Sequence, residues 1–139
     1  MNMKFARVTE ETKFKIDYDW FEKNGQDVNV LIAKCLTPQQ LEGAGDEPLD
    51  ASFDSVDPET AEVSRVTRAM QLIRAERAHD PEFISPHTPV AEAAFRAFLL
   101  NNNVPMSAGE LALRIGRTSK EIIDRLGGRV VYNGVKPVK

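Results

Sequence analysis

The sequence is short of the residues on which most recognisable chemistry depends. One cysteine, Cys35, and two histidines, His79 and His87, occur in 139 residues. A single thiol cannot close an internal disulfide, and one cysteine with two histidines is too small a set for a zinc cluster. Cys35 lies in the apolar run "VNVLIAKCL" and reads as an inert core thiol. His79 and His87 stand near prolines in a connector rather than on one helical face, so they read as loop and cap residues. No apolar run approaches the roughly 20 residues that span a bilayer. The start, "MNMKFARVTEETKF", has no hydrophobic stretch of signal-peptide type. The expectation is a cytoplasmic protein with no membrane partner.

Catalytic signatures are equally scarce. There is no glycine-rich phosphate loop, no G-x-S-x-G elbow and no histidine near a plausible nucleophile, so the chain is not expected to be an enzyme or to hold a cofactor. The carboxylates Asp46, Glu47, Asp50, Asp54 and Asp57 lack the Asp-x-Asp-x-Asp-Gly spacing with a distal Glu that calcium loops use, and no metal site is expected.

What is present is an ordinary core-forming composition, 42% apolar and 28% charged, with a net charge of −3. The charge is uneven. Residues 105–139 hold seven Lys/Arg against three Asp/Glu, and the rest hold eleven against eighteen. A basic C-terminal part suits an anionic partner, while the acidic remainder favours solubility.

Along the chain, "KFKIDYDWF" alternates apolar and polar residues through Phe14, Ile16, Tyr18 and Trp20, which is strand periodicity. Val28 to Leu36 fits a short buried helix ended by Thr37-Pro38. Residues 41–57 are rich in Gly, Asp and Ser and read as an acidic, mobile loop. "VDPETAEV" fits either a helix start or two short strands around a turn; from Val66 onward helix is the firmer reading. Thr88 can cap a further helix with Pro89 in its first turn, closed by Asn101 to Asn103 and Pro105. That helix is apolar nearly all round and is expected to be buried between the N-terminal and C-terminal parts.

The C-terminal segment carries the densest signals. Ser107 and Glu110 have capping-box spacing, Ala108, Leu111, Ala112 and Ile115 form one apolar stripe, and Gly116 ends the helix. Thr118 and Glu121 repeat the box before a second helix with Ile122, Ile123 and Leu126 turned inward and Gly127-Gly128 beyond its end. Leu113 lies opposite its own helix's stripe and should be exposed. "RVVYNGVKPV" then reads as a β-hairpin with Asn133-Gly134 in a two-residue turn.

Helix, short strand, two capped helices and a hairpin in this order resemble the winged helix-turn-helix superfamily over residues 88–139. The expected fold is therefore α+β and mainly α: a winged helix-turn-helix domain at 88–139 with a C-terminal β-hairpin wing, preceded by a strand-helix extension at 1–87 packed on it. The resemblance implies a DNA-binding protein of transcription-regulator type, with Thr118 to Leu126 as the reading helix and Arg129 to Val138 as the wing. Lys120 can pair with Asp124 and Glu121 with Arg125, so the outward face of the reading helix neutralises itself. Contacts to double-stranded DNA would then fall mainly on phosphates. The candidate residues are Arg114, Arg117, Thr118, Ser119, Lys120, Arg125, Arg129, Asn133, Lys136 and Lys139. Winged helices also serve as protein-interaction modules, and a homodimer or a protein partner held through the N-terminal part or Leu113 is the alternative.

Overall fold

The computed structural model describes residues 8–43, 52–56, 61, 63–76 and 80–138. In chain order its elements are β1 (Lys13–Ile16), α1 (Tyr18–Lys23), α2 (Val28–Lys34), α3 (Pro38–Gly43), β2 (Ser52–Val56), β3 (Val63–Thr67) and α4 (Arg68–Glu76). They continue as α5 (Val90–Leu100), β4 (Met106–Ser107), α6 (Ala108–Ile115), α7 (Ser119–Leu126) and β5 (Val135–Pro137). The class is α+β, with about half of the described residues helical. The chain divides into two compact units, one of Met1–Gln26 with Ile84–Lys139, the other of Asp27–Phe83. Residues 1–26 thus fall in the same unit as residues 88–139, whereas the expected domains divide between residues 87 and 88.

The first unit is built round a three-stranded antiparallel sheet in the order β4-β1-β5. Phe14 lies opposite Met106 on one side and Pro137 on the other, and Ile16 lies opposite Val135. Phe14, Ile16, Met106 and Val135 are buried, while Lys13 and Lys15 face outward, as a period of two requires. The buried face packs on α5, whose Ala93, Ala94, Phe95, Ala97, Phe98 and Leu99 are all buried. Phe21 of α1 meets Phe95 edge-on, with ring centroids 6.2 Å apart. The nearly all-round apolar character of α5 is thus used up between β1, β5, α6 and α7.

Two local elements differ from expectation. The alternation through Tyr18 and Trp20 does not continue the strand, because the Asp17 carboxylate accepts from Asp19 N at 3.1 Å and starts a helix. Thr88 does not cap α5 either: its Oγ1 accepts from Ser85 N at 3.0 Å, Pro89 takes the cap position, and no side chain caps the helix.

The asparagine run does more than close α5. Ile16 N donates to Asn103 Oδ1 at 2.8 Å and Asn103 Nδ2 donates to Ile16 O at 2.9 Å, so one side-chain amide satisfies both backbone groups at the end of β1. Asn103 holds this position with φ 58°, a region asparagine enters more readily than most residues. Asn103→Gly keeps that backbone conformation and removes both bonds. It is expected to lower stability by about 2 kcal/mol in urea denaturation; a change under about 0.5 kcal/mol would contradict the bridging role.

In the second unit, α2 begins at Asp27, whose side chain accepts from Asn29 N at 2.9 Å. Ile32, Cys35, Leu36, Ala69, Leu72, Ile73 and Phe83 are buried, and Cys35 Sγ contacts Leu31 O at 3.4 Å. Strands β2 and β3 pair antiparallel from Ser52 opposite Thr67 to Val56 opposite Val63. Residues 41–57, expected as one acidic loop, contain the end of α3 and the whole of β2; residues 44–51 and 57 lie outside the described residues. The helix expected from Val66 starts at Arg68, since Val66 and Thr67 still belong to β3 and Thr67 Oγ1 accepts from Met70 N at 3.2 Å.

Candidate nucleic-acid interface

The two short helices near the C-terminus form as their capping residues dictate. Ser107 Oγ accepts from Glu110 N at 3.1 Å while Ser107 N donates to Glu110 Oε1 at 3.2 Å. Thr118 Oγ1 accepts from Glu121 N at 3.2 Å while Thr118 N donates to Glu121 Oε1 at 3.3 Å. These bonds satisfy donors that a helix start leaves unpaired. The bonds from Ser107 hold the Glu110 carboxyl below its ordinary range. Between the helices Gly116 takes φ 71°, and Arg117 N donates to Ala112 O at 2.9 Å, which turns the chain sharply. Leu111, Ile115, Ile122 and Leu126 are buried, but Ile123 is only half-buried rather than turned into the core.

The Asn133-Gly134 turn is present, with φ 54° and 72° and Val135 N donating to Tyr132 O at 3.0 Å. The hairpin built on it differs from expectation. Only a single bridge, Tyr132 to Val135, joins its two arms, and β5 takes β1 as its ladder partner. The reason is burial: Val130 is 61% exposed, whereas β1 offers Phe14 and Ile16 to the core.

The candidate residues have diverse surroundings. Arg117 Nη2 donates to Pro86 O at 2.9 Å and to Thr88 O, and Nη1 lies 3.6 Å from the Glu121 carboxylate. Its guanidinium ties the approach of α5 to the start of α7 and is occupied by structure. Lys120 pairs with Asp124 at 2.7 Å, as the i,i+4 spacing requires, and the carboxylate raises the lysine's pKa. Glu121 does not pair with Arg125; it serves its cap and Arg117, and Arg125 instead lies over the Tyr132 ring at 5.5 Å. Thr118 is spent on its cap, and Ser119 is half-buried at the first position of α7. Arg114 and Arg129 are exposed, at the last turn of α6 and just beyond α7. Lys136 Nζ lies 3.0 Å from Asp17 Oδ2. Lys139 lies outside the described residues.

Three of these residues, Arg117, Arg125 and Asn133, come together along one groove of about 710 Å³ between the first turn of α5, the outer face of α7 and the turn. Pro89, Val90 and Tyr132 supply apolar wall, and Glu92, Glu121 and Asp124 stand against the two arginines. The groove is therefore mixed in charge, with one acid in excess. Arg114, Lys120, Arg129 and Lys136 do not line it.

Sequence reading missed Lys13 and Lys15, because they lie far along the chain from the segment that drew attention. The signal was their alternation with Phe14 and Ile16, which fixes both lysines on the outward face. It also missed Asp17. The hydrogen bond from Lys136 holds the Asp17 carboxyl below its ordinary value of 3.8. A lowered carboxylate contributes stability that is present above the ordinary value and is lost as pH falls through the lowered one. Both side chains are about a third exposed, at 32% and 39%, so the contribution is at most about 1 kcal/mol. Asp17→Asn keeps a cap for α1 and removes the charge. Comparing urea midpoints of the two proteins from neutral pH down to about pH 3 should show a gap at neutral pH that closes in acid. An equal gap at both ends would contradict the bridge.

No protein-family model, no curated protein and no solved structure matches the chain. Among the described residues, no helix is long and apolar enough to cross a membrane, and no group of three or more His, Cys, Asp or Glu is placed to hold a metal ion.

Proposed function

We propose that this protein binds double-stranded DNA, as a regulator of winged helix-turn-helix type would, and that it does so mainly through phosphates. The observation that carries the reading is the division of charge between the two units. The unit with the capped helices has thirteen Lys/Arg against nine Asp/Glu, and Asp27–Phe83 has five against twelve. A basic unit joined to an acidic one concentrates polyanion attraction on one body, although the whole chain is negative. The order α5, β4, α6, α7, turn and β5 supports the winged-helix comparison, with β1 added as the central strand.

Base reading by α7 is not expected. Its outer face is balanced by the Lys120–Asp124 pair and lies beside Glu92 and Glu121. Arg114 and Arg129, flanking α7, are the better phosphate contacts, and exposed pairs such as Lys120–Asp124 are worth little and can be exchanged for phosphate. In fluorescence anisotropy with a generic duplex, Arg114→Gln/Arg129→Gln is expected to weaken binding by about tenfold at low salt and to flatten the salt dependence. Unchanged affinity would remove these residues from the interface.

A protein-binding reading is favoured by the groove, which sets Pro89, Val90 and Tyr132 among charges of both signs, and by Leu113, which is 88% exposed. A second copy of the chain or another protein fits such a surface. Sedimentation at rising concentration, with Leu113→Ser as the variant, separates it from the DNA reading: self-association abolished by this change, with no duplex binding, would favour it.

A further inference from the structure

We infer that the outward face of the β4-β1-β5 sheet is itself a phosphate-binding surface for duplex DNA, with Lys13, Lys15 and Lys136 as its contacts; this rests on the DNA-binding reading above. The outward ladder positions are Lys13, Lys15, Lys136 and Ser107, since their neighbours Phe14, Ile16, Met106 and Val135 point into the core. Lys13 and Lys15 are two residues apart on one strand, about 7 Å between equivalent atoms. Lys136 stands directly across the ladder from Lys15. Like charges placed opposite each other in a sheet repel, and an anion bridging them removes that penalty.

The carboxylates around this face only partly compensate it. Asp17 takes Lys136 at 3.0 Å, and Glu110 lies near enough to Lys13 for the lysine's charge to act on its carboxyl. Among the described residues neither Lys13 nor Lys15 forms a salt bridge. The face is thus cationic. Beside the lysines the one large apolar side chain is Val138, which follows β5 and whose N–H donates to Lys13 O at 2.7 Å; a single valine is too little to insert between lipids, and this favours the charged backbone of a duplex over a membrane.

The test uses the full chain with a generic duplex, titrated by anisotropy across a salt series. Lys13→Gln/Lys15→Gln is expected to lose between about tenfold and sixtyfold in affinity near 0.1 M salt, and its plot of log affinity against log salt should be shallower by about 1.8. Removing Lys15 relieves its repulsion with Lys136, so the thermal midpoint should hold or rise. Lys13→Arg/Lys15→Arg should restore binding, and Lys34→Gln, which removes one cation from the acidic unit, should change affinity by less than about twofold. If the unaltered protein binds duplex and Lys13→Gln/Lys15→Gln binds it equally, with the same salt slope, the sheet-face inference fails while the DNA reading stands. If the unaltered protein binds no duplex at low salt, or binds phosphatidylserine vesicles in preference to it, both fail.

Discussion

Gly134→Ala is expected to destabilise the protein by about 3 kcal/mol or more. Two penalties coincide at this residue. Its φ of 72° lies in the left-handed region, where a side chain costs about 1–2 kcal/mol. An added Cβ would also stand 2.5 Å from Phe21 Cε2 and 3.2 Å from Asp17 O. Phe21 is 1% exposed and packs edge-on against Trp20 and Phe95, so it has no room to withdraw. Gly116→Ala is the internal comparison, because Gly116 has a similar φ of 71° with nothing within 4 Å of the added atom. It should cost only the backbone share, about 1–2 kcal/mol. If urea denaturation shows Gly134→Ala no worse than Gly116→Ala, the close packing of the turn on Phe21 is wrong.

Phe14→Ala is expected to cost about 3–5 kcal/mol, enough to unfold much of a marginally stable chain. Phe14 is fully buried in the central strand of the sheet, with Met106 and Pro137 on its two sides. Truncating it leaves a cavity on the face that covers α5 and weakens both ladders that hold β4 and β5. Lys13→Ala, one residue away on the outward face, should be nearly neutral for stability. The contrast checks that the N-terminal strand belongs to the C-terminal core; a loss below about 1 kcal/mol for Phe14→Ala would separate them.

What could be read directly from the sequence was local. The capping boxes at Ser107/Glu110 and Thr118/Glu121 act within four residues, and they placed α6 and α7 correctly at their starts. Asn133-Gly134 likewise fixed its own turn, since few residue pairs take positive φ twice in succession. The partner of the strand after that turn was not legible. Pairing is a non-local choice, decided by which segment brings apolar side chains to the same core, and Phe14 with Ile16 outbid Val130. The same limit explains Arg117. Its charge marked it as a phosphate contact, but the carbonyls of Pro86 and Thr88 that occupy it lie about thirty residues earlier.

The remaining misreadings came from competition between neighbours. Tyr18 and Trp20 keep strand spacing, yet Asp17 ahead of them caps a helix. Thr88 has cap chemistry, yet Ser85 captures its hydroxyl first. Glu121 and Arg125 have pairing spacing, but Arg117 at the opposite i,i+4 position and the cap already hold Glu121, which releases Arg125 to Tyr132. The mixed lining of the groove follows from that rearrangement.

The most direct test of the central claim is the affinity of the full chain for two duplexes of unrelated sequence, measured at about 50 mM and about 200 mM salt. Binding through about five phosphates predicts nearly equal affinity for the two sequences and a fall of roughly five-hundredfold between the two salt concentrations. Absence of binding at the lower concentration, or binding that ignores salt, would contradict the account.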